Sequence, residues 1–190
     1  MNHYINTYFN GVVMALRDLV KDVHTEAEES PFAKLLMSGA ISKHQYANYL
    51  YQQEMIYFRL EQRADKLGIL EDIPDIKRHH KIVEDFHSLE VNDSFKLYPV
   101  VKEYCDYVEG IDEYQCWAHM YVRHFGDMYG GNMISKRIPF GLHNMYKFED
   151  KKGLIEYVRS KLDDDMYKEA QGVFKYATAL FKELEKEYGL

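Results

Sequence analysis

The chain has 190 residues, 46% of them apolar, with only four prolines and a formal charge of −7. That length is enough to bury a substantial core without staples, so residues 1–190 are expected to form a single domain, and the composition excludes a disordered chain. The acidic balance excludes a nucleic-acid footprint, which needs clustered Lys and Arg, and Cys105 and Cys116, outside any CxxC spacing, exclude a disulfide framework and a structural zinc site.

Met1 to Gly11 carries neither a basic leader nor a sustained apolar run, and Val12 to Leu16 is too short for a signal-peptide core. No segment approaches the ~20 apolar residues that a membrane span requires. A soluble protein of a reducing cytoplasm is expected, with no membrane contact.

In chain order the pattern reads as helix after helix. Val13, Leu16, Val20, Val23 and Ala27 share one stripe of a helix from about Asn10 to Glu29. Ser30-Pro31 starts a short helix that Gly39 ends. Ser42 caps a third, Lys43 to Lys66, whose dense apolar and aromatic residues predict cover on more than one side. A fourth helix is expected over Asp75–Leu89, and a fifth between Pro99 and Gly110. The sixth is long, Asp112 to Arg137, ahead of Pro139. After a loop from Phe140 to Phe148, two last helices, about Lys152–Leu162 and Met166–Tyr188, complete an all-α chain. Asp163-Asp164-Asp165 suits a helix start, where acids are favoured.

The sixth helix holds an anomaly. Gly126, Gly130 and Gly131 are three of the chain's eleven glycines, and each costs a helix about 1 kcal/mol relative to alanine, roughly 3 kcal/mol together. Close approach of another body to the backbone would compensate, either a flat ligand or a packed helix.

Among the nine histidines, His24 lies ~60° from the centre of its helix's apolar stripe, at the edge of the buried face. It aligns with Arg17, Lys21 and Glu28 at i, i+4, i+7, i+11, so a candidate axial ligand shares a row with two cations and a carboxylate able to orient the imidazole. The competing reading is a helix edge with i,i+4 charges. His79 and His80 are expected at the surface. Glu84-x-x-His87 is one half of a di-iron signature, but no second copy occurs. Cys116 with His119 or His124 could form a thiol–base pair, although core packing is the reading favoured for the cysteines.

Two segments form a recognisable pair: Val23-His24-Thr25-Glu26-Ala27-Glu28 and, about a hundred residues later, Tyr121-Val122-Arg123-His124-Phe125-Gly126-Asp127-Met128-Tyr129-Gly130-Gly131. Together they resemble the haem oxygenase family, the first its proximal V-H-x-x-A-E segment and the second its distal Y-x-R-x-x-G-D-x-x-G-G segment. The resemblance implies a multi-helix bundle with haem b between the first helix and a kinked distal helix. His24 would be the iron ligand through Nε2, with Glu28 behind it, and Gly126, Gly130 and Gly131 would form the distal wall. Asp127 would anchor the water network that supplies protons in dioxygen activation, and Arg123 would extend it, the alternatives being a surface arginine or one pairing a core carboxylate. Arg17, Lys21, Tyr121 and Arg159 would meet the propionates. Relatives often carry K-x-x-x-R at the last of these, whereas Ile155 stands at the lysine position here. His124 replaces a common aromatic; it could join the distal network or point outward, and outward is the expectation.

The implied activity is oxidative opening of haem, both cofactor and substrate, to biliverdin, with O2 consumed and CO and ferrous iron released. The implied electron donor is ferredoxin, reduced from NADPH through its reductase, and a downstream bilin reductase is a candidate partner. The type is the soluble bacterial, algal or viral one, acting in the cytoplasm, or in the host cytoplasm for a viral form. The alternatives are a haem carrier on the same scaffold, or a di-iron or thiaminase-like member of the fold.

Overall fold

The computed structural model describes residues 16–190; Val13 and the start of the expected first helix lie outside them. Residues 16–19 are helical, the chain turns at Val20, and α1 runs over Lys21–Glu29. Ser30 then accepts the Ala33 N–H at 3.2 Å and starts α2, Pro31–Ser38. Gly39 ends it in the left-handed region, φ 75°, where an added Cβ would also collide with the Arg137 carbonyl.

α3, Lys43–Lys66, is the central helix that its composition predicts, and it begins with a full capping box between Ser42 and Gln45. It buries Tyr46, Tyr49, Leu50, Ile56, Tyr57 and Leu60 against α4 (His79–Ser88), α5 (Pro99–Gly110) and α6 (Glu113–Gly126). α4 starts later than the periodicity suggests. Pro74–Ile76 makes a separate 3-10 turn, and the buried Glu61 carboxylate of α3 accepts the N–H groups of Arg78 and His79, so a neighbouring helix supplies the cap.

α6 is more deeply buried than its amphipathic pattern suggests: every residue from Cys116 to Phe125 is inside. Beyond Gly126 the helix does not simply kink. It widens into a π turn over Asp127–Gly131 and continues as α7, Asn132–Arg137. The expected loop contains a 3-10 turn at Asn144–Tyr146, tied down by Asp85, which accepts the Asn144 and Met145 N–H groups at 2.6 and 2.8 Å. α8, Lys151–Arg159, and α9, Tyr167–Tyr188, follow, with Asp163 at the start of the intervening turn. α9 packs on α6, α1, α2 and α5, which makes it the backing of both helices that carry the sequence motifs. Among the described residues no helix is long and apolar enough to cross a membrane.

Candidate haem site

α1 is thin and held from behind. Leu16, Val20 and Ala27 are buried, while Arg17, Lys21 and Glu28 are exposed and the His24 side chain is 48% exposed. Glu28 Oε2 lies 3.3 Å from His24 Nδ1, one turn on, so the carboxylate engages the nitrogen that leaves Nε2 for a ligand. The ring of Phe174 from α9 meets the imidazole edge-on at 5.3 Å. Gln171, also on α9, donates to the Leu19 carbonyl at 2.8 Å, where the helix breaks before α1.

The distal glycines divide into two kinds. A Cβ added to Gly126 or Gly130 would meet no atom within 4 Å, so one side of the π turn is bare. Gly131, expected beside them, is different: a Cβ there would overlap the Tyr146 ring, so its side-chain space is filled by the 3-10 turn and not by a ligand.

Asp127 opens the π turn with its carboxyl partly buried, and Tyr57 of α3 donates to its Oδ2. Burial raises the Asp127 pKa to about 7, against the opposing effects of the Tyr57 hydrogen bond and the positive charges of Arg78 and Arg123. A carboxyl so poised can hold or release a proton near neutral pH. Arg123 is buried, its guanidinium 4.8 Å from the Tyr104 ring, and its Nε and Nη2 have no protein partner. It therefore belongs to the interior polar set and not to the surface.

His124 does not point outward. It is fully buried, edge-to-face with Tyr57 at 5.2 Å, and its Nδ1 lies 3.1 Å from the Met120 carbonyl. Burial, with the nearby Arg78 charge, pushes its pKa down to about 3, so the ring is neutral. The outward expectation fails because α6 has no outward face at this level. His79 is likewise tucked in, 4.9 Å from Phe58 and 3.6 Å from Glu54, while His80 is exposed.

At the other edge, burial raises the Tyr121 pKa, and the positive charges of Arg159 and then Arg17 counter it. Arg159 Nε is buried without a hydrogen-bond partner, 5.8 Å being the distance from its guanidinium to the Phe125 ring. Ile155, at the relatives' lysine position, is in the core.

The other sequence candidates are occupied. Burial pushes the Cys116 thiol up to about 12, the reverse of an activated nucleophile. His119 is held between Tyr104 Oη, 2.8 Å, and Glu169 Oε1, 2.9 Å. Glu84 accepts from Asn144 Nδ2 at 2.9 Å, and among the described residues no three His, Cys, Asp or Glu side chains are grouped to hold a metal.

Tyr57 and Arg78, which shape the Asp127 environment, are absent from the sequence candidates. One signal was available: Tyr46, Tyr49, Gln53 and Tyr57 share one face of the helix read as central, a polar-tipped stripe where plain apolar residues are the rule.

The residues present fit a haem: an imidazole at an accessible helix edge, a backbone bare at two glycines, and a half-buried arginine, Arg159, whose buried Nε has no partner. Comparison with known proteins agrees. The Heme oxygenase family model matches residues 11–183. Heme oxygenase of Rhodella violacea is 24% identical, covering 95% of this chain and 90% of its own length, and heme oxygenase 1 of Synechocystis sp. is 24% identical over 90% of this chain and 83% of its own. Among solved structures, Synechocystis heme oxygenase-1 in complex with heme has a TM-score of 0.80 at 22% identity, covering 90% of this chain and 91% of that one. Heme oxygenase from Leptospira interrogans has a TM-score of 0.77 at 23% identity, covering 90% and 98%. The chain belongs to the haem oxygenase family.

Proposed function

We propose that the protein opens haem oxidatively to biliverdin, releasing CO and ferrous iron, with electrons from reduced ferredoxin. The single observation that carries this is Asp127: a carboxyl with a pKa near 7, hydrogen-bonded by Tyr57, at the head of a π turn whose Gly126 and Gly130 backbone is bare. A haem carrier needs the histidine and the cations but has no use for that carboxyl.

Haem, when bound, supplies the iron for dioxygen chemistry and the macrocycle that is oxidised. His24 would hold the iron through Nε2, and Glu28, which engages Nδ1, would fix the ring. Arg159, Arg17 and Tyr121, with Lys21 on the same face as His24, would hold the propionates and so orient the macrocycle. Gly126 and Gly130 leave room on the distal side. Asp127 moves a proton at its carboxyl through water, Tyr57 keeps it oriented, and the Arg123 charge favours its ionised form. The buried neutral His124 supports the Tyr57 ring and carries no proton itself at neutral pH.

The test is single-turnover oxidation of the hemin complex with ferredoxin, its reductase and NADPH, and separately with ascorbate, followed by chromatography of the pigment. Biliverdin and trapped CO are expected. Hemin that binds with histidine ligation yet gives no verdin under either reductant would leave only a carrier.

A further inference from the structure

A lysine at the first position of a helix is misplaced, because the positive end of the helix dipole repels it. α8 begins with two, Lys151 and Lys152. Lys152 behaves as such a residue should, 89% exposed and only loosely paired with Glu156 at 3.9 Å. Lys151 turns the other way. Its ammonium donates to the carbonyl of Met128 and lies 4.6 Å from the Tyr129 ring centroid. Both partners are inside the π turn, immediately after Asp127.

A π turn accommodates one residue more than an α-helix and disturbs the regular i→i−4 ladder, so it persists only where outside contacts favour it over the α register. One such contact is Tyr146 against Gly131, at the far end of the turn. The Lys151 ammonium grips its middle. The root of that lysine is itself fixed, since Asp150 caps α8 by accepting the Gly153 N–H at 2.9 Å and sits so close to Gly153 that any Cβ there would collide with it.

We propose that Lys151 is a positioning residue: by bonding the Met128 carbonyl and covering Tyr129, it locks the π turn in register and so fixes the Asp127 carboxyl and the bare backbone at Gly126 and Gly130. It acts through the turn.

The test is amide hydrogen exchange by mass spectrometry on hemin-free protein, so that the outcome is independent of the haem reading. Wild type, Lys151→Met, Lys151→Arg and Lys152→Met are compared in peptides covering residues 126–133. Loss of a charge-assisted bond to a partly buried carbonyl should speed exchange there by about tenfold in Lys151→Met. Lys151→Arg, which can still donate and still cover the ring, should restore most of the protection, and Lys152→Met should match wild type. Unchanged exchange in Lys151→Met, or equal acceleration in Lys152→Met, would overturn the proposal. So would acceleration spread equally through α3 and α9, which would make Lys151 a general stabiliser and not a latch on the turn.

Discussion

The two helices proposed to flank the haem are held in opposite ways. α1 lies on the surface, touched from behind by Phe174, with its His24 imidazole half in solvent. α6 is buried on all sides from Cys116 to Phe125, and the Asp127 carboxyl just beyond it takes its properties first from burial and then from groups on other elements, Tyr57 on α3 and Arg78 ahead of α4. A binding residue needs only to be present and accessible. A proton-handling residue needs an environment that shifts its pKa, which only a buried, well-populated setting provides.

The largest effects should come from deleting either residue, and they should differ in kind. His24→Ala is expected to lose the histidine-ligated hemin spectrum and its activity, and added imidazole should restore both, because the site is open to solvent. Asp127→Ala should keep hemin binding but lose biliverdin formation by about 100-fold or more, the scale of a proton-transfer group. Acetate should not restore it, because the native carboxyl is held by Tyr57 in a partly closed setting.

Next come the glycines, one residue type with opposite signs. Gly131→Ala forces a methyl into the Tyr146 ring and should cost about 1–3 kcal/mol, a drop of several degrees in Tm. Gly126→Ala meets nothing and keeps a helical φ of −54°, so hemin-free protein should gain up to about 1 kcal/mol. A Tm loss in both variants would mean that packing, and not a bare face, explains the whole cluster.

A smaller effect follows from pH. Asp127 stays protonated up to about pH 7 when folded, whereas in the unfolded chain it ionises near 3.8. Between those values the folded state binds more protons, so this group's contribution to stability falls as pH rises. Wild type should therefore lose stability relative to Asp127→Asn across that window, with a slope of at most about 1.4 kcal/mol per pH unit. Thermal melts at four pH values would show it, and parallel curves would count against the raised pKa. The smallest effect belongs to the proximal surface: breaking the Lys182–Glu26 pair, 3.5 Å apart and exposed, should change stability by under about 1 kcal/mol.

The sequence revealed the two flanks unequally, for the same physical reason. The α1 row could be read from a helical wheel because it is local, and the Ser42 box, the Pro99–Gly110 bracket and the Gly39 stop are local too. The outward expectation for His124 failed because a wheel assumes that a helix has a wet side, and α6 has none there. The assignment of Gly131 to the open face fails similarly: spacing cannot reveal that Tyr146, fifteen positions on, fills the gap. Tyr57 and Arg78 escaped because their importance lies in contacts across the fold, not in any motif they occupy.

The central claim is that Asp127 makes this haem-binding scaffold an oxygenase. Single-turnover oxidation of the hemin complexes of wild type and Asp127→Asn, side by side with reduced ferredoxin, tests it most directly. Matching hemin affinity and histidine-ligated spectra are expected, with biliverdin and CO from wild type and little or none from the variant. Equal biliverdin yields at equal rates from the two proteins would contradict it.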